Sequence, residues 1–493
     1  MDFNLVAKLK AFNLDIGRIE RPGFDFSKML PDEMPEMKIA DCSARLPIVQ
    51  GGMGVGVSLS GLASAVAEVG GIGVIAANAI GMLDSDYSSS HRDGNSIALR
   101  REIRKARAKT SGILGVNIMV AVNDFQPLLR VAIEERVDIV FLGAGLPIND
   151  IPVSDLRSAG VKVVPIVSSA RAAGIIFRSW KKKYDDIPDG VVVEGPKAGG
   201  HLGFKEHEID DPACALENIL PAVISEIKTY GESFGRSIPV IGAGGVYTGE
   251  DIHALLRLGA SGVQMGTRFV ATHECDADIR FKRAYLDCRE GDIEIIKSPV
   301  GMPGRAIKSR FLSDEAPGRK KEPLKCSWKC LRSCDIKSAR YCISLALDNA
   351  RRGLLDKGFV FAGANAFRVD KIVSVEELLR ELQDQYLVAA AGWAGSLRAE
   401  YERAVERLTA MKEEYLAAVG NAFAPFLDEY ERKIEGAVVF CEEFSQAVEK
   451  VAAVKIDYQK ALARANCLKD QLAQIFDGSA GARVCHSDGT AGF

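Results

Sequence analysis

The sequence predicts an α/β protein built on a (β/α)8 TIM barrel, and three observations lead there. Eight short apolar runs alternate with helical stretches between Leu46 and Phe269. The runs are continuous rather than alternating in polarity, as in parallel strands buried on both faces. Eight such units in about 230 residues, with no break, suit a closed barrel better than an open doubly wound sheet.

In order, the runs are LPIVQG from Leu46, GIGVIAANA from Gly71, ILGVNIMV from Ile113 and DIVFLGAG from Asp138, then KVVPIVSS from Lys162, GVVVEG from Gly190, IPVIGAGG from Ile238 and SGVQMGTRF from Ser261. Candidate helices between them include Ser60 to Glu68, Asp124 to Glu135, Ser169 to Lys183, Ile219 to Tyr230 and Gly249 to Leu258. A barrel places its chemistry where strands end and loops begin. Those ends here carry Gly51-Gly52-Met53, Asn117, Gly143-Ala144-Gly145, Gly199-Gly200-His201, Gly244-Gly245 and Gly266-Thr267.

Around the barrel, expected at residues 46–304, the chain divides into an N-terminal segment (1–45), a cysteine-rich basic module with a return segment (305–385), a helical extension (386–477) and a loose tail (478–493). Between Gly318 and Arg340 eight basic residues face two acidic ones. The return segment ends in a helix with Ser374 as its expected N-cap. Beyond Ser396, apolar residues at Leu397, Tyr401, Val405, Leu408, Tyr415, Val419 and Phe423 predict an amphipathic helical bundle or hairpin.

Composition narrows the function classes. Of 493 residues, 47% are hydrophobic and 26% charged, enough apolar material for a large core. A net charge of -3 offers no field for a polyanion, which argues against a nucleic-acid partner. The longest apolar stretch, Val69 to Leu83, is too short to span a bilayer, so no membrane association is expected. Lys8 and Lys10 interrupt the start before any apolar h-region, which predicts a cytoplasmic location. Eleven cysteines in that compartment are expected to be reduced thiols or metal ligands rather than a disulfide frame.

Three motifs point to chemistry. Gly244-Gly245 and Gly266-Thr267 end the seventh and eighth runs, where barrels commonly place backbone N–H groups around a phosphate. Tight βα turns alone would also use glycines there. Neither loop carries the Gly-Lys-Ser/Thr ending of a nucleotide-triphosphate site. In Glu194-Gly195-Pro196-Lys197-Ala198-Gly199-Gly200-His201, glycines flank one imidazole after the sixth run, which makes His201 the candidate base; a loop histidine bonded to a carbonyl is the plainer reading. His91, His207, His253, His273 and His486 lack such a setting, and no histidine pair supports a catalytic zinc. Cys326, Cys330, Cys334 and Cys342 would share a face if helical and could then bind zinc or an iron–sulfur cluster. Their spacing matches neither zinc ribbons nor ferredoxins, and small apolar helix positions are the alternative. These four cysteines are not placed in the barrel site.

Together LPIVQGGMG, GVNIMV, EGPKAGGHLG, IPVIGAGGV and GVQMGTRF resemble the nitronate monooxygenase family, formerly called 2-nitropropane dioxygenases, whose FMN-binding barrel is shared with flavin-dependent enoyl-acyl-carrier-protein reductases. The similarity covers Leu46 to Cys275. It implies FMN at the carboxyl face, with Gly51, Gly52 and Met53 along the ring, Asn117 hydrogen bonded to it, Gly199 and Gly200 beside it, and Gly244, Gly245, Gly266 and Thr267 on the phosphate. It also implies that His201 is the base that ionises nitroalkanes before oxidation by O2. Two departures stand out. Some relatives carry a lysine at the end of strand five, where this chain reads Pro165-Ile166-Val167-Ser168-Ser169, and Lys197 stands where an acidic residue is common, which is expected to bear on the basicity of His201 or on substrate preference. The competing readings are an NAD(P)H-dependent flavin reductase of enoyl thioesters or quinones, a non-catalytic scaffold, and a phosphosugar-binding barrel. The expected partners are a small-molecule substrate with O2 or NAD(P)H, and a homodimer is expected because such barrels commonly associate.

Overall fold

The computed structural model describes residues 31–84, 91–313, 339–430 and 456–468, together with 326, 330–332, 334, 335, 337, 454, 470, 471, 484, 485, 491 and 492. Residues 1–30, His486 and most of the tail expected to be loose fall outside this set. Two compact units emerge, Asp32–Ala389 and a second one that takes in Ala390–Phe493.

Within the first unit, each of the eight apolar runs becomes one parallel strand. These are β1 (Ile48–Gln50), β2 (Gly73–Ala76), β3 (Leu114–Met119), β4 (Ile139–Gly143), β5 (Lys162–Val167), β6 (Val191–Glu194), β7 (Val240–Ala243) and β8 (Gly262–Met265). Neighbouring strands pair in parallel around the sheet in the order β1-β8-β7-β6-β5-β4-β3-β2. The ring closes where Val49 bridges Ile72 and the Gln50 N–H donates to the Ile72 carbonyl at 2.9 Å. Buried Gln50 reinforces that seam, since its Oε1 accepts from the Val74 N–H at 3.0 Å.

The barrel interior is apolar because both strand faces are covered. Val49, Ile72, Val74, Ile139, Phe141, Val164, Val192 and Ile241 form one buried cluster. Met37, Ile39 and Ala44 join it from a short antiparallel hairpin, Met37–Ile39 with Cys42–Ala44, which plugs the amino end of the barrel. Gly262 opens β8 because a Cβ there would lie 2.4 Å from the Met37 sulfur. Beyond the barrel, β9 (Ile293–Lys297) and β10 (Pro303–Ile307) form a hairpin, and β10 pairs with the two-residue strand Gly200–His201.

Asp189, almost fully buried ahead of β6, accepts from Arg157 and Arg236 and from the Val163 N–H at 2.8 Å. Removing this carboxylate leaves the buried Val163 N–H without its acceptor, while Arg157 and Arg236 stay partly exposed and keep Asp186. Asp189→Ala is therefore expected to cost about 1–3 kcal/mol, read as a lowered midpoint in urea unfolding.

The helix expected after Ser374 runs without interruption from Val375 to Tyr430. Ser374 caps it, with its Oγ accepting from the Glu377 N–H at 3.1 Å and Glu377 accepting from the Ser374 N–H at 2.8 Å. In the second unit Leu397, Tyr401 and Val405 pack with Leu468, and Leu408 packs with Tyr458 and Ala465. The side chains of Tyr415, Val419 and Phe423 fall outside the described set. Among the described residues no helix is long and apolar enough to cross a membrane. Among the described residues eight cysteines are free, whereas Cys467 is disulfide-bonded rather than a reduced thiol or metal ligand.

Candidate functional site

The carboxyl ends of the strands surround a cavity of about 310 Å³. Gly51, Gly52 and Met53 enter it after β1, Asn117 from β3, Gly199, Gly200 and His201 after β6, Gly244 and Gly245 after β7, and Gly266 and Thr267 after β8. Gly52 approaches Asn117 so closely that a Cβ would sit 2.3 Å from the Asn117 Cβ. Asn117 Nδ2 donates to the Phe141 carbonyl at 3.3 Å, which ties it to β4.

At the β7 and β8 ends, Gly244 and Gly245 adopt φ of +90° and +100°, a region open to glycine without strain. Among the described residues the N–H groups of Gly244, Gly245, Gly266 and Thr267 donate to no protein acceptor. Four unclaimed donors beside one cavity can hold an anionic oxygen group. The return segment braces this end. Gly363 N–H donates to Thr267 Oγ1 at 3.3 Å, Asn365 Nδ2 to the Gly245 carbonyl at 2.6 Å, and Ala364 N–H to the Lys197 carbonyl at 3.0 Å. Across the cavity, the buried Asn78 Oδ1 has no hydrogen-bond partner, which leaves an acceptor for a ligand donor. Unclaimed donors at one end and an unclaimed acceptor on the wall fit a phosphorylated polar-ringed cofactor.

His201 is fixed by pairing of its backbone with β10, by an edge-to-face contact with Phe361 at 5.1 Å between ring centroids, and by a hydrogen bond between Nε2 and Ser298 Oγ at 2.7 Å. Burial lowers its pKa to about 4, so the ring is neutral at pH 7. Burial is the cause of that shift, and Lys197 contributes nothing to it. Arg305 on β10 holds the loop before the histidine, donating to the Pro196 carbonyl at 2.7 Å and to the Ala198 carbonyl at 3.2 Å.

Several lining residues had no signal in sequence, namely Asn78, Gln264, Phe361 and the stretch Gly363 to Asn365, and neither did Ser298, which bonds His201 without lining the cavity. Glu194 sits within a quoted motif, yet nothing local marks it as a cavity group.

The cysteine module departs from the helical expectation. Leu331 and Ser344 line the cavity, whereas none of the four cysteines does. Leu331 bridges Val122, and the Asn123 N–H donates to the Cys330 carbonyl at 3.0 Å. The described residues between Cys326 and Cys342 are not helical, and the described helix begins at Ile343, with Cys342 at the N-cap. Cys326, Cys330, Cys334 and Cys342 are therefore not carried on one helix face. Among the described residues no group of three or more His, Cys, Asp or Glu could hold a metal ion. Cys330 Sγ instead lies 3.3 Å from Ser344 Oγ.

Fold and cavity define the class of protein: a β/α barrel with its cavity at the carboxyl ends of the strands. A sequence model described as nitronate monooxygenase matches residues 36–128 and 100–385, and the chain belongs to that family. Among relatives, it is 30% identical over 266 residues to the (3aS,4S,5R,7aS)-5-hydroxy-7a-methyl-1-oxo-octahydro-1H-indene-4-carboxyl-CoA dehydrogenase of Mycobacterium tuberculosis, covering 54% of this chain and 64% of that one. It is 29% identical over 297 residues to a nitronate monooxygenase of Pseudomonas aeruginosa, covering 55% of this chain and 80% of the other. Among solved structures, FabK from Thermotoga maritima superposes with a TM-score of 0.56 at 27% identity, over 72% of this chain and 96% of that one. The match thus spans less than two thirds of the dehydrogenase's length.

Proposed function

We propose that this chain is an FMN-dependent oxidoreductase that oxidises alkyl nitronates and nitroalkanes with O2. The observation that carries the reading is a half-buried, neutral imidazole on the wall of the same cavity as four unclaimed N–H donors. Gly244, Gly245, Gly266 and Thr267 would hold the phosphate, Gly51, Gly52 and Met53 would border the ring, and Asn117, Asn78, Gly199 and Gly200 would flank it. When bound, FMN supplies the ring that accepts electrons from a nitronate and delivers them to oxygen.

The protein's own part is proton chemistry. A nitroalkane becomes electron-rich only after its α-proton leaves, and His201 is placed to take it. The contact with Ser298 Oγ engages Nε2, and in the tautomer whose Nε2–H donates to that oxygen, Nδ1 carries the basic lone pair. Proton transfer converts two neutral partners into an imidazolium–nitronate pair, whose attraction offsets the burial that otherwise disfavours a charged imidazole. Ready-made nitronates bypass this step.

Anaerobic mixing with a nitronate, and separately with NADH, tests the reading through flavin absorbance. Bleaching by the nitronate is the expected result. Bleaching by NADH alone would replace the proposal with a reductase of enoyl thioesters or quinones, and a protein that binds no flavin would favour a scaffold. Ser298→Ala should lower kcat/KM for nitroalkanes by about tenfold, the worth of one hydrogen bond of roughly 1–1.5 kcal/mol, and leave nitronate kinetics unchanged.

A further inference from the structure

Glu194 is the group in the cavity that the proposed proton transfer leaves unused. It closes β6, opposite Ala243 of β7, seven residues before His201, and its side chain lines the cavity. No protein donor reaches its carboxyl among the described residues. Flanking strands bring no charge to it: β5 ends in Val167 and β7 in Ala243. The other titratable groups on the cavity wall are Lys197, His201 and Tyr285, and none of them displaces its ionisation. Burial alone pushes its pKa up to about 7, while the same surroundings bring His201 down to about 4. The usual order of a carboxyl and an imidazole is inverted, so between these two values the acid keeps its proton and the base is bare.

We infer that Glu194 works as a neutral carboxylic acid that donates a hydrogen bond to an oxygen acceptor of whatever occupies the cavity. Nitro, carbonyl and hydroxyl oxygens share that chemistry. They could come from the cofactor or from the substrate, and the inference rests on the proposed function only in naming those two sources. A ligand oxygen accepting from the acid favours its protonated form, so ligand binding takes up a proton whenever the empty cavity holds carboxylate.

Infrared spectroscopy of the flavin-free protein tests the first half: a carboxylic C=O band present at about pH 6, fading through pH 7 and missing from Glu194→Gln, is expected. Calorimetry at about pH 8 in buffers of different ionisation enthalpy tests the second, with uptake of close to one proton per ligand in wild type and none in Glu194→Gln. Uptake on adding FMN alone assigns the acceptor to the cofactor. Uptake only when 1-nitropropane is added anaerobically to the loaded protein assigns it to the substrate. No band at about pH 6, proton release, or uptake retained by the variant overturns the inference. Flavin absorbance is read separately, so a protein that fails to bind FMN overturns the proposed function, while the carboxyl band is still scored in the same sample.

Discussion

Replacing His201 by asparagine lowers turnover of neutral nitroalkanes by about 10²- to 10⁴-fold, the usual contribution of a positioned general base, and leaves turnover of the matching nitronates largely unchanged. Steady-state oxygen consumption with each substrate pair measures the difference. Equal losses on both would remove the base assignment, since only the neutral substrate needs its proton taken. The same residue sets a pH signature. Its imidazole is neutral in the folded protein above about 4, whereas an exposed one protonates near 6.5. Folded-state pKa below unfolded-state pKa means that the unfolded chain binds the extra proton first, so stability falls as pH drops from about 6.5 towards 4. His201→Asn removes that share of the acid sensitivity, which thermal melts across this window would show.

Gly244→Val should abolish retention of flavin through purification. Valine cannot sit comfortably at φ +90°, and its Cβ would lie 2.7 Å from the Gly195 carbonyl oxygen. Strain of about 1–3 kcal/mol, added to the displacement of the loop, weakens cofactor affinity by at least tenfold. Gly235→Ala is the control. It too places a side chain at positive φ, +61°, but nothing lies within 4 Å of its Cβ and it is absent from the cavity wall. That variant should melt earlier and keep its colour, and colour retained by Gly244→Val would sink the phosphate assignment.

The barrel was legible because parallel strands sheathed by helices must be apolar on both faces, and runs such as DIVFLGAG have no other economical reading. The site was legible where one short stretch holds both the turn and the chemistry, as at Gly199-Gly200-His201. It was not legible where partners lie far apart along the chain. Ser298 is 97 residues from His201, and Asn365 is 120 residues from Gly245. No local pattern announces such pairs. The cysteines misled for a related reason: regular spacing suggested a helix face, yet the pairing of Leu331 with Val122 holds the segment in an irregular course. Glu194 stood in plain view, but its character comes from what surrounds it rather than from its neighbours in sequence.

The hairpin of Met37–Ile39 and Cys42–Ala44 has a consequence for traffic. With the floor stoppered, the described residues leave no way out through the amino end, so reactants and products both pass on the carboxyl side. Under the proposed function, spent carbonyl product must back out before the next nitronate enters, which should register as product inhibition competitive with the organic substrate.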